Sequence, residues 1–206
     1  MMNDGWYESV SPATRLTQGD LVFGCPISTW AAEAASSGTS DVASEVPEVT
    51  PQADLLKKRQ EIIAEDVIVM SQACDLEHGK VSDVVVCPHY ALSYFREQVW
   101  KPDQERKGHK LNTDHWQKYF KGMASGHLWN LCVVNSSEID GNAIEHRVVD
   151  FHRIYTIPRD FLETLLQERN KPRLRLLPPY REHLSQAFAR FFMRVGLPEQ
   201  LNKAKT

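Results

Sequence analysis

The sequence has no apolar run that approaches the ~20 residues needed for a membrane-spanning helix. Its start, from Met1 to Tyr7, offers neither a basic region nor an apolar stretch, so we expect no secretory signal peptide. Of the 206 residues, 42% are hydrophobic and 25% charged, which is ordinary for a globular chain with one sizeable core. These features predict a cytoplasmic protein that does not associate with membranes.

Cysteine is also scarce. The four cysteines, Cys25, Cys74, Cys87 and Cys132, are widely separated along the chain. Small secreted domains that depend on disulfides have denser and more regular spacings, so we expect reduced thiols here. No cofactor is predicted, apart from the zinc site considered below.

One segment in the first half of the chain contains no basic residues. Residues 31–55 hold five acidic residues and no Lys or Arg. The segment at about 28–54 is rich in Ala, Ser, Thr and Pro, which predicts a flexible acidic insert. Residues 1–100 contain 6 Lys and Arg against 15 Asp and Glu, whereas residues 101–206 contain 18 against 12. Such a polarised chain can present a basic face to nucleic acid, although the two halves can also neutralise each other on folding.

Short apolar runs bounded by turn residues predict a sheet with helical additions. The predicted strands are Leu21–Phe23, Val67–Met70, Val84–Val86, Leu128–Val134 and Glu145–Ile157. The predicted helices are Tyr90–Trp100, 113–121, Pro158 to about Glu168, and Tyr180–Val195 with its stripe of Phe residues. We therefore expect an α+β fold, either a small, strongly bent β-sheet or an SH3-like barrel, ending in an amphipathic helix.

The chain divides into two predicted parts. Residues 1–168 form the barrel-like domain with its acidic insert. Residues 169–206 form a basic linker, from Arg169 to Pro179, followed by the C-terminal helix packed on the barrel.

The stretch from Asp66 to His89 carries the densest group of chemically reactive residues. Between its two β-branched runs lie Ser71, Gln72, Cys74, Asp75 and His78. Connections between strands are where sites are often built. The alternative is structural, because Ser and Asp side chains also satisfy backbone groups in a turn.

Three segments resemble the PemK/MazF-like toxins: Gly19-Asp-Leu-Val22, Val67-Ile-Val-Met-Ser71 and Val84-Val-Val-Cys-Pro88, followed by a strand that leads to Pro158. The resemblance implies an SH3-like barrel, often dimeric, with endoribonuclease activity and an antitoxin partner. That family places an Arg-Pro pair just before its second strand, where this chain has Glu65 and Asp66. Separately, Ser71-Gln-Ala-Cys-Asp-Leu76 is similar to a motif in uncharacterised bacterial proteins that we associate with phage-defence neighbourhoods.

Two groups of residues are candidates for catalysis. Cys74 beside Asp75, with His78 nearby, has the composition of a thiolate nucleophile, although a buried structural cysteine is the commoner case. Without the usual arginine, RNA cleavage would depend on residues such as His152 and Arg153 in the strand at 146–153. Cross-strand charge pairing explains that strand equally well.

A zinc site is a second hypothesis. Cys74, His78, Cys87 and His89 supply the ligand types that zinc accepts, from two neighbouring strand ends. Their spacing matches no common zinc-finger pattern. Cys87 and His89 are two residues apart, so they are predicted to share a strand face.

Basic residues alternate with aromatic ones in two regions. Residues 96–121 carry a net charge of +3 and include Lys107, Lys110, Lys118 and Trp116, a composition that suits single-stranded nucleic acid. The linker contributes Arg173 and Arg175. Both regions can equally be solvated surfaces.

These observations support three hypotheses. The first is a nucleic-acid-associated PemK/MazF-like barrel protein, an atypical or degenerate endoribonuclease of a toxin or phage-defence system, with RNA or another single-stranded nucleic acid and an antitoxin as partners. The second is a non-catalytic binding or regulatory subunit of a bacterial multi-protein system, bound to a neighbour-encoded protein. The third is an enzyme that depends on Cys74 or on a metal. A homodimer is compatible with the first.

Overall fold

The computed structural model describes residues 5–30, 60–139 and 142–193, with only the backbone of Asn142. Most of the predicted acidic insert, from residue 31 onward, lies outside the described residues, as does the predicted helix end beyond residue 193. The described part is an α+β fold, as predicted, and all its strand pairs are antiparallel. No helix in these ranges is both long and apolar enough to cross a membrane.

Ten strands are present in the described ranges. They are β1 (Tyr7–Val10), β2 (Leu21–Trp30), β3 (Gln60–Val69), β4 (Asp83–Ala91), β5 (Leu131–Val134), β6 (Ser137–Ile139), β7 (Asn142–Ile144), β8 (Arg147–Asp150), β9 (Tyr155–Pro158) and β10 (Arg173–Leu176). The main sheet has the order β2-β3-β4-β8-β5, and β9 also pairs with β4. β6 and β7 form a separate hairpin.

β4 pairs along one side with two successive strands. Its first half lies beside β9, with Val84 opposite Ile157, and its second half lies beside β8, with His89 opposite Val149. The chain turns over residues 151–154 between these strands. The prediction of one strand over 145–157 is therefore wrong, because the polar residues of this turn interrupt the apolar alternation.

The β1–β10 pair lies near both edges of the main sheet. An isolated bridge joins Asp20, at the start of β2, to Arg175 of β10, and the Tyr7 hydroxyl of β1 donates to the Asn135 carbonyl beyond β5 at 2.7 Å. The described strands form no closed ladder, so the sheet that they build is not a continuous barrel.

The centre of the sheet is buried on both faces. Val67 and Val69 of β3 face one core, while Ile68 of β3 and Met70, the residue after it, face the other. This double burial explains why the β3 and β4 sequences are continuous runs of β-branched residues rather than alternating ones. Each face is covered by a helix.

The helices are α1 (Ala73–Glu77), α2 (Leu92–Tyr94), a π-helical segment (Phe95–Trp100), α3 (Lys101–Arg106), α4 (Thr113–Ala124), α5 (Arg159–Arg169) and α6 (Tyr180–Phe192). Leu162 and Leu166 of α5 pack on the first core, and Leu184 of α6 packs on the second. The helices from α2 to α4 form the helical insert (residues 92–124). Its Phe95 and Trp100 belong to a third core, which also contains residues of β5 and β8.

Several boundaries differ from the sequence predictions. β2 extends through Trp30, so the predicted insert starting at about residue 28 begins inside a strand. The strand β10 lies within the predicted linker and pairs with β1, because its apolar Leu174 and Leu176 alternate with arginines. Cys74, expected at a strand end, lies in the first turn of α1.

Candidate functional site

A small cavity of ≈ 280 Å³ lies where β3, β4 and β8 meet the start of the helical insert. We call it the β3–β4–β8 pocket. Its polar and aromatic lining residues are Glu65, Asp66, His89, Tyr90, Tyr94 and Arg147. Strand register brings them together, because β4 pairs with β3 at Pro88 and with β8 at Ala91, which lies opposite Arg147.

Arg147 is the buried centre of the pocket. Its guanidinium donates to Asp66 Oδ2 at 2.6 Å and to His89 Nδ1 at 2.9 Å. It also lies over the ring of Phe23, 5.3 Å from the centroid. Asp66 Oδ1 accepts from the Gly24 backbone N–H at 2.8 Å. Both oxygens of Asp66 are thus occupied by the protein itself, and the ion pair connects β2, β3 and β8.

His89 is held in its neutral form. It is 1% exposed, and burial, assisted by the adjacent Arg147 charge, lowers the pKa of His89 well below its ordinary value, against a smaller opposing contribution from the Val67 backbone. Nδ1 accepts from Arg147, so the ring proton is on Nε2, which is buried and has no hydrogen bond of normal geometry to the described residues. A charged imidazole would therefore have to form beside a fixed cation.

This burial predicts acid sensitivity. Below about pH 6.5 the unfolded chain binds a proton at His89, whereas the folded protein keeps this side chain neutral. The free energy of unfolding should therefore decrease as the pH is lowered, by up to ~1.4 kcal/mol per pH unit. Urea denaturation at about pH 7.5 and about pH 5.5 measures this fall. His89→Asn should flatten the dependence, whereas His127→Asn, at an exposed histidine, should leave it unchanged. Equal slopes in all three proteins would contradict the assignment.

A second arginine reaches the neighbouring acidic residue. Arg153, from the β8–β9 turn, donates to Glu65 Oε1 at 2.8 Å, to the Tyr90 hydroxyl at 2.7 Å and to the Tyr155 hydroxyl at 2.5 Å. Burial is the main cause that raises the pKa of Tyr90 to about 12, so its hydroxyl stays protonated. Arg147 and Arg153 thus lie beside Glu65 and Asp66, the two positions where the PemK/MazF-like pattern would have an Arg-Pro pair.

Tyr94 forms the exposed rim of the pocket. Its side chain is 53% exposed, and its ring stacks on that of Tyr90 with centroids 5.9 Å apart and an interplanar angle of 18°. Tyr94 is also the last residue of α2, so it connects the pocket to the helical insert.

The residues predicted around Cys74 do not join this pocket. Cys74 is exposed on α1, where its Sγ lies 3.7 Å from Gln72 Oε1 and from Asp75 Oδ1. Asp75 also pairs with Lys80 at 3.7 Å. Ser71 Oγ accepts from the Val85 backbone N–H at 2.8 Å, which matches the structural alternative for this motif.

The four residues of the zinc hypothesis are dispersed. His78 and Cys74 are exposed near α1, whereas Cys87 and His89 are buried in β4. Burial raises the pKa of Cys87 to about 12, which disfavours the thiolate that zinc binds, and His89 Nδ1 is occupied by Arg147. Among the described residues, no three His, Cys, Asp or Glu side chains form a group that could hold a metal ion.

His152 and Arg153 point to different neighbours. The His152 ring contacts Phe191 of α6 at a centroid distance of 5.4 Å and lies 3.7 Å from Asp150, while Arg153 faces Glu65. The structure therefore brings Arg153, but not His152, to the vicinity of the pocket.

The predicted nucleic-acid contacts fall into two groups. Lys107, Lys110 and Lys118 are exposed on the helical insert, and Trp116 is half-buried with Arg96 over its ring at 5.4 Å. Lys107 also pairs with Asp103 at 2.6 Å. The other two predicted contacts, Arg173 and Arg175, lie in β10.

Arg173 and Arg175 belong to the interior rather than to an open surface. Both donate to Asp20, which is completely buried, and Arg173 donates in addition to the carbonyls of Ser11, Thr14 and Arg15. These arginines hold the loop after β1 against β10, which occupies the donors that a phosphate would need.

Sequence reasoning missed Arg147, Tyr94 and the role of Glu65 and Asp66. One signal was present: two acidic residues immediately before an apolar run require cationic partners once that run is buried. Comparisons with protein families, with curated proteins and with solved structures find no match for this chain.

Proposed function

We propose that this protein binds single-stranded nucleic acid, RNA foremost, along the helical insert and into the β3–β4–β8 pocket. The observation that carries the proposal is the position of Tyr94. Its exposed ring lies at the pocket rim and at the start of a basic, aromatic-rich helical segment. Exposed aromatic faces beside basic residues are how proteins hold unpaired bases and their phosphates.

The charges are distributed in support of this role. The four charged groups of the pocket and its neighbourhood pair off, Arg147 with Asp66 and Arg153 with Glu65. The net charge of +3 over residues 96–121, with exposed Lys110 and Lys118, supplies the attraction for phosphates. Phosphate attraction and base contact are thus assigned to adjacent parts of one surface.

The finer form of the proposal is an atypical endoribonuclease with a PemK/MazF-like, SH3-like barrel, from a toxin or phage-defence system. The contacts of the β1–β10 pair with residues beside both edges of the main sheet support the barrel. Arg153 supports the activity, because it reaches the neighbourhood where that family carries its arginine and has two tyrosine hydroxyls beside it.

Tyr94→Ala should weaken binding of a single-stranded RNA by roughly 5- to 150-fold, the value of one lost base stack of ~1–3 kcal/mol. Fluorescence anisotropy with a labelled, unstructured oligonucleotide measures the change. Tyr94→Phe should bind nearly as well as the wild type, since it keeps the ring. Phe161→Ala is the matched control, because Phe161 is similarly exposed, at 47%, but lies in a different groove.

Two outcomes would count against the proposal. If the wild-type protein binds no single-stranded RNA, or if Tyr94→Ala binds as tightly as the wild type, the pocket is not a nucleic-acid site. Gel analysis of the same RNA after incubation, with and without a chelator, separates binding from cleavage. Cleavage that disappears in Arg153→Lys but survives the chelator would support the endoribonuclease form.

A second candidate function is protein binding, which an apolar groove favours. The groove of ≈ 550 Å³ lies between the ends of β2 and β9 and contains four exposed apolar side chains: Trp30, Ile62, Ile154 and Phe161. Exposed apolar patches of this kind mark interaction sites in many proteins. This observation supports a binding or regulatory subunit, and co-purification of a partner that is lost in Phe161→Asp would test it.

A further inference from the structure

Glu65 is the acidic residue of the β3–β4–β8 pocket whose carboxylate keeps an oxygen available to a ligand. Asp66 is less suited, because each of its oxygens already accepts a hydrogen bond within the protein. Glu65 differs. Its Oε1 accepts from Arg153, while Oε2 has no hydrogen-bond partner among the residues that the structure describes. The Glu65 side chain is 15% exposed and lines the cavity, so an acceptor is held at the pocket wall.

The ion pair fixes the chemistry of this acceptor. Arg153 keeps Glu65 in place through a 2.8 Å contact and is itself held by Tyr90 and Tyr155. An ionised carboxylate accepts hydrogen bonds but donates none. A ligand group that meets Glu65 Oε2 must therefore be a donor, and a second acceptor at that point would be repelled.

The size of the cavity and its aromatic rim favour one flat ring. Its volume of ≈ 280 Å³ is at the lower end of the ~300–1,000 Å³ typical of small-ligand pockets, and the small side chains of Ala64 and Ala91 complete its lining. Tyr94 offers an exposed aromatic face at the rim. A nucleobase fits these conditions better than a phosphate, because the local charges cancel.

We propose that the β3–β4–β8 pocket selects a nucleobase with an exocyclic amino group, and that it binds cytosine in preference to uracil. This inference rests on the proposed function, since it names the substrate class of the same site. Cytosine presents its N4 amino group as a donor where uracil presents the O4 acceptor, and Glu or Asp is the usual acceptor for cytosine N4. Glu65 supplies that acceptor, and Tyr94 stacks on the base.

The test compares two oligonucleotides of equal length, oligo(rC) and oligo(rU), at neutral pH by fluorescence anisotropy. We expect the wild-type protein to bind oligo(rC) about tenfold more tightly, the discrimination expected of one good base contact. Glu65→Gln should reduce the preference to about twofold or less, because an amide can also donate to uracil O4. Glu61→Gln is the matched control, since it removes the same charge from an exposed position on the same strand, outside the pocket.

Each outcome decides something different. Equal binding of the two oligonucleotides by the wild-type protein overturns the base preference and leaves RNA binding intact. An unchanged preference in Glu65→Gln overturns the role of Glu65. Absence of binding to both overturns the base preference together with the proposed function. The wild-type comparison needs no variant, so it remains decisive even if Glu65→Gln, which alters the contact with Arg153, folds poorly in a thermal unfolding control.

Discussion

Replacing Asp20 with alanine is expected to cost about 3–5 kcal/mol of the free energy of unfolding, the largest effect of any substitution considered for this fold. Asp20 is completely buried, and its carboxylate accepts from both Arg173 and Arg175 at 2.6–3.1 Å. Its removal leaves the 3%-exposed Arg173 side chain as a buried cation without its counter-charge. The free energy of unfolding of a typical domain is only ~5–15 kcal/mol, so this substitution should remove a large part of the stability.

Urea denaturation of Asp20→Ala and of Glu8→Ala measures this effect against a matched control. Glu8 contacts the same Arg175 at 3.8 Å but is 45% exposed, so its removal should cost less than about 1 kcal/mol. Adding Arg173→Met to Asp20→Ala should restore part of the loss, because the buried cation is removed with its partner. A loss in Asp20→Ala no greater than that in Glu8→Ala would show that this ion pair does not hold β10 against β2.

Replacing Arg147 with methionine is expected to cost about 2–4 kcal/mol, somewhat less than a fully buried ion pair because Asp66 is one-third exposed. Methionine retains much of the volume but cannot donate to Asp66 or to His89. The contact with the face of Phe23 also loses its charge. Thermal or urea unfolding measures the loss, and Arg147→Lys should give an intermediate value, since an ammonium cannot reproduce the planar arrangement of donors.

The pKa of His89 provides a second measurement, which a simple loss of packing at Arg147 would not change. Because the positive charge of Arg147 helps to lower the pKa of His89, that pKa should rise in Arg147→Met and remain low in Arg147→Lys. An NMR titration of the His89 ring follows it directly. An unchanged His89 pKa in Arg147→Met would mean that burial alone keeps the ring neutral.

The central strands were predictable because their burial leaves a strong sequence pattern. The run Val67–Met70 lies in β3 except for its last residue, Val84–Val86 lies in β4, and the C-terminal amphipathic pattern lies in α6. β1 and β10 could not be found in this way. Each has four residues and is stabilised by a partner more than 150 residues away, a contact that local patterns do not encode.

The candidate site was only partly predictable for a similar reason. The sequence drew attention to Cys74 and His78, which are close together along the chain, whereas the pocket is made of residues from three strands and a helix. Arg153 was singled out in the sequence, but its partner Glu65 comes from 88 residues earlier. Conversely, Arg173 and Arg175 looked like surface charges because nothing in the linker sequence indicates the buried Asp20.

The pairing of β1 with β10 has a consequence for synthesis of the chain. The carbonyl of Ser11 and the guanidinium of Arg173 that meet in the fold are 162 residues apart. At ~5–20 residues per second, a ribosome needs roughly 8–30 seconds between making these two partners. During that interval the apolar side chains of Tyr7 and Val10 have no β10 to cover them. The nascent protein thus carries an unpaired strand with exposed apolar side chains, a state that favours aggregation, until β10 has been translated.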